Sequence, residues 1–161
     1  MRIAAGEEDE PTTGAGPVGG ALDAEAPALD ARSAGDGGSP PEEAYGRVSD
    51  PGRYTVLHPA AEQLLDRLAT EYAVDRRDGD RSLDQGLVDG VEVDHVVRLT
   101  PRSGDGAALT VAFTRFPGLA VRFGDCEPRY LPRCGCDACD EDPGALLDEL
   151  RRDVVAFVTG T

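Results

Sequence analysis

The chain has 161 residues, room for one domain of ordinary size plus a tail, and carries a formal charge of −15 from 31 acidic and 16 basic side chains. A surface this negative repels phosphate backbones and anionic lipid, so nucleic acid and membrane are excluded as expected partners, and a basic protein or a cation is favoured. Every basic residue is arginine and Ile3 is the single isoleucine. That is the bias of GC-rich coding and points to a high-GC bacterial origin. No secretory apolar stretch follows Met1, and no run approaches the roughly 18 apolar residues of a membrane span, so the cytoplasm is the expected compartment.

Residues 1–47 read as a disordered acidic leader. Gly, Ala, Pro, Asp and Glu dominate, and Val18, Leu22 and Leu29 stand alone. Such a segment buries too little surface to offset its lost conformational entropy. Residues 48–161 read as the folded domain. His58-Pro59 opens a helix, because proline suits the first helical turn. Ala61, Leu64, Leu65, Leu68 and Tyr72 form its apolar stripe, with Glu62, Asp66, Arg67 and Glu71 on the wet side. Arg76-Arg77-Asp78-Gly79-Asp80 ends it, and the polar stretch to Gly90 reads as a loop.

Three strands follow. Val91, Val93, His95, Val97 and Leu99 alternate with more polar positions, which predicts one buried and one wet face. Leu109, Val111 and Phe113 form the second alternating set, and Leu119, Val121 and Phe123 the third. Short links make these an antiparallel meander. In the second hairpin, a Pro117-Gly118 turn would put Val121 opposite Thr114. A three-residue loop, Phe116-Pro117-Gly118, pairs Val121 with Phe113 and keeps the apolar residues on one face, with Gly118 free to take positive φ. The longer loop is expected.

The last helix has an Asp142-Pro143 start, a stripe of Leu146, Leu147, Leu150, Val154, Phe157 and Val158, and a stop at Gly160. The expected fold is therefore α+β: a three-stranded antiparallel meander flanked by an N-terminal and a C-terminal helix, with a cysteine-rich loop before the last helix.

That loop carries the chemistry. Cys134, Cys136 and Cys139 fall within six positions, and Cys126 lies just upstream. In a reducing compartment a cysteine cluster favours metal binding or redox work over a permanent disulfide framework. Cys136 and Cys139 have the two-residue spacing of a zinc knuckle, and Gly135 lets Cys134 reach the same ion. The expected metal ligands are Cys126, Cys134, Cys136 and Cys139, holding a structural zinc, with reduced thiols that bind no metal and a redox or disulfide pair as the other readings of the same cluster. His58 and His95 are the alternatives to Cys126. Asp137, Asp140, Glu141 and Asp142 lack the spacing of a calcium loop and read as solvated charge and helix capping. His95, on the apolar face of its strand, reads as a hydrogen-bonded core histidine. No nucleophile elbow and no phosphate loop is present, so no catalytic residue is assigned.

Cys134-Gly135-Cys136-Asp137-Ala138-Cys139-Asp140-Glu141 resembles the signature of an uncharacterised actinobacterial family, a domain of unknown function. Leu57-His58 and Phe116-Pro117-Gly118-Leu119-Ala120-Val121-Arg122 are similar to further parts of it. The resemblance covers roughly Tyr45 to Thr159 and implies no activity, cofactor or partner. The residues themselves lead to a cytosolic, non-enzymatic protein-interaction domain with a structural zinc. A thiol-redox or metal-dependent enzyme using the same cysteines, and an acidic inhibitor or immunity-type protein binding a basic partner, are the alternatives.

Overall fold

The computed structural model describes residues 38–84, 86–87 and 90–160; most of the expected leader, residues 1–37, lies outside them. The fold is α+β, as expected, but its sheet has five strands, not three. Helix α1 (Leu57–Glu71) leads into β1 (Val74–Gly79), β2 (Val93–Pro101), β3 (Leu109–Thr114), β4 (Gly118–Phe123), β5 (Arg129–Leu131) and helix α2 (Pro143–Thr159). The strands lie in chain order, each antiparallel to the next.

The two extra strands are the edges. β1 reads Val-Asp-Arg-Arg-Asp-Gly and has one apolar residue, so periodicity predicts a helix end there. An edge strand bonds on one side only, and charged side chains keep other chains from adding to it. Arg76 also ties it inward, to Glu62 of α1 at 2.8 Å and Asp66 at 2.5 Å. Those two acids, expected on the wet side, are thus ionic partners of the sheet. β5 is three residues long, too short for an alternation to be visible.

The three expected strands are present, with two corrections. β2 has an irregularity between Val93 and His95: Val93 pairs with Thr114 and His95 with Phe113, so Asp94 is an extra residue. Such a bulge breaks the two-residue alternation. Val93 therefore packs against the second face of the sheet, while Val97 and Leu99 stay on the first. In the second hairpin the loop is Arg115-Phe116-Pro117, and Phe113 pairs with Leu119, not with Val121, which faces Val111. The parity of the expectation survives and its register moves by two residues. Gly118 is not at positive φ. It is the first residue of β4, where a Cβ would lie 2.7 Å from the carbonyl oxygen of Leu131, so close approach of β5 is what requires glycine.

Both helices cover one face. Leu57, Ala61, Leu65 and Leu68 of α1 and Leu146, Leu150 and Val154 of α2 bury against Val97, Leu99, Val111, Phe113, Leu119 and Val121. Tyr72, expected as the end of the α1 stripe, is instead its extended, exposed C-cap residue. α2 matches expectation: the Asp142 carboxylate accepts from the Ala145 amide at 2.8 Å, Pro143 opens the helix and Gly160 follows it. The opposite face is small-residued, with Val96, Ala112 and Ala120, and is capped by Leu87. Leu87 lies in the stretch expected to be a polar loop, yet it is fully buried. With both faces covered, every residue of β3 is buried.

Candidate metal centre

The cysteine loop begins where β5 ends. Leu131 pairs with Leu119, so the chain leaves the sheet beside the start of β4, under Phe116. Gly135 sits against that ring at φ +76°, and a Cβ there would come within 2.8 Å of Phe116 Cζ. Both the left-handed backbone and the contact demand glycine. The turn brings Cys134 and Cys136 together with their sulfurs 3.1 Å apart.

Cys136-Asp137-Ala138-Cys139 then folds as a tight turn closed by the Asp140 amide, which donates to the Cys136 carbonyl at 3.1 Å. Cys136 Sγ accepts from Cys134 and from the backbone amides of Cys139 and Ala138, and these hold its thiol below its ordinary range. Cys139 moves the other way: its hydrogen bonds to Cys136 and Cys134, then burial, push it up to about 12. Three sulfurs this close do not all ionise without a cation among them.

The Sγ atoms of Cys134, Cys136 and Cys139 all lie within 4.8 Å of one another, with Cys136 buried and the other two exposed. Each can offer one soft donor to a shared ion. Cys126, expected as the fourth ligand, does not join this group. It follows Phe123 at the far end of the β4–β5 hairpin, with its amide donating to the Phe123 carbonyl. The four steps from Leu119 to Phe123 span about 13 Å of strand. The alternative ligands are also occupied elsewhere. His58 Nε2 lies 2.9 Å from the Gly118 carbonyl oxygen, and His95 Nε2 lies 2.7 Å from Glu62 Oε1 while its ring stacks on Phe113.

The acids around the thiols are a scaffold. Glu141 accepts from the amides of Arg133 and Cys134, both at 3.1 Å. Asp137 accepts from Ser49, and Asp140 pairs with Arg53. The backbone adds two bonds, from the Asp137 amide to the Arg47 carbonyl at 2.9 Å and from the Ala138 amide to the Ala44 carbonyl at 3.2 Å. The segment from Ala44 to Arg53 therefore lies along the cysteine turn. Nothing in the local sequence signals these partners, since they are about 90 residues away; Glu141, expected as solvated charge or a helix cap, instead accepts from two amides of the cysteine loop.

Among the described residues no helix is long and apolar enough to cross a membrane. No curated protein and no solved structure matches the chain. A family profile does match, over residues 21–161, and it takes in the sheet, both helices and the whole cysteine loop. The chain belongs to this family, a family of unknown function (DUF6226).

Proposed function

We propose that the domain is a protein-interaction module stapled by one structural zinc ion, held by Cys134, Cys136 and Cys139. The observation that carries this reading is the convergence of the three sulfurs to within 4.8 Å of one another. Thiolates select soft or borderline ions, and zinc accepts a tetrahedral sulfur-rich set without redox chemistry. The ion would lock the connection between β5 and α2, and its binding free energy would add directly to folding. A net charge of −15 suits a basic protein partner, and a reducing cytoplasm would keep the thiols available.

The test is elemental analysis of the full chain purified without a histidine tag, beside Cys136→Ser. About one zinc per chain, lost in the variant together with a fall in melting temperature, supports the reading. Four free thiols in the parent chain and three in the variant, with no metal and equal stability in both, would overturn it. The count of three protein donors favours one other reading, a metal-dependent enzyme, because catalytic zinc keeps a position for water or substrate.

A further inference from the structure

We infer that the fourth coordination position of this ion is filled from outside the chain, by the neutral imidazole nitrogen of a histidine on a partner protein. The inference rests on the zinc reading above and names the chemistry of the partner.

Among the described residues, the donors near the three sulfurs are already committed. Glu141 uses both carboxylate oxygens on backbone amides, Asp140 is paired with Arg53, Asp137 holds Ser49 and Asp142 caps α2. None of these carboxylates joins the group formed by the three sulfurs. Cys126 is held at the other end of its hairpin, and both histidines are bonded to other elements. The opening is accessible, since Cys134 and Cys139 are exposed.

Charge selects the class of donor. A divalent ion with three thiolates carries a net negative charge, and Asp140, Glu141 and Asp142 follow directly in the chain. A further anion meets repulsion from all of these, whereas a neutral nitrogen does not. Three cysteines and one histidine also make a standard structural zinc set, so the added imidazole closes the site without changing its chemistry. A zinc bridge of this kind ties partner recognition to metal loading.

The test uses cobalt(II) in place of zinc, in the full chain and in Cys126→Ser. Both should show the same thiolate-to-cobalt charge-transfer bands, because Cys126 is not a ligand. Imidazole should shift the visible ligand-field bands saturably, and a blocked Gly-His-Gly peptide should reproduce the shift while Gly-Ala-Gly does not. Acetate should leave the spectrum unchanged, and 2-mercaptoethanol should bind more weakly than imidazole. Bands that differ in Cys126→Ser, that ignore imidazole, or that respond more strongly to the thiol would overturn the inference and leave the metal reading standing. A shift with free imidazole but not with the peptide would overturn the assignment to a protein side chain. Absence of charge-transfer bands in both proteins would remove the metal reading and this inference together.

Discussion

The carboxylate of Asp137 accepts two hydrogen bonds from Ser49, one from its amide at 2.8 Å and one from its hydroxyl at 2.7 Å. Asp137 lies between Cys136 and Cys139, so the segment leading into the domain is anchored on the cysteine loop itself. Arg53 reinforces the anchor through Asp140.

Asp137→Ala should release that segment while leaving the sheet and both helices intact. Arg47 and Arg53 are tryptic sites within it, so limited trypsin digestion should cut the variant there severalfold faster than the parent chain. Equal cleavage rates would show that the two backbone bonds to Ala44 and Arg47 hold the segment without the carboxylate.

Arg76 is the hinge pin between α1 and the edge strand. Its guanidinium reaches Glu62, Asp66 and Asp78. Burial raises the Glu62 pKa, but hydrogen bonds from His95 and Arg76 outweigh it and hold the carboxyl below its ordinary value. The Arg76 hydrogen bond likewise lowers Asp78. A depressed carboxylate contributes stability that is full above its unfolded pKa, about 4, and is lost as pH falls through the lower folded value. Urea unfolding should therefore show stability falling below about pH 4. Arg76→Ala should cost about 1–3 kcal/mol at neutral pH and flatten that acid limb. An unchanged limb would place the pH dependence elsewhere.

Gly135→Ala should destabilise the domain by about 1–3 kcal/mol, because it puts a side chain at positive φ and into the Phe116 ring. Phe116→Leu in the same chain should recover part of the loss. A thermal melt of the single and double variants separates the two causes: no recovery would assign the whole cost to the backbone.

Leu87→Ala should cost about 2–5 kcal/mol, the range for emptying a closed apolar site. Leu87 is the fully buried residue that covers Ala112 and Ala120, with Leu83, Val93 and Tyr130 packed around it only partly buried. A cost under about 1 kcal/mol in chemical denaturation would mean that the covering segment collapses onto the sheet.

What could be read from the chain were the features whose cause is local. The α2 cap, proline and glycine, the apolar stripes of both helices, and the alternation of β3 and β4 each lie within a few residues. The spacing of Cys134, Cys136 and Cys139 is equally local, and their sulfurs do converge. Features with a distant cause were not legible. β1 is a strand because β2 supplies its hydrogen bonds and α1 its counter-charges, so Val74–Gly79 has no apolar period to display. Leu87 is buried because the sheet's second face needs a cover. Cys126 is close to the other thiols in sequence and apart from them in space, because a hairpin sends its two ends in the directions of its strands. Sequence alone gave both helices, the three central strands and a run of three closely spaced cysteines. Tertiary structure decided which side chains meet, since that depends on strand pairing between segments whose separation in the chain leaves no periodic trace.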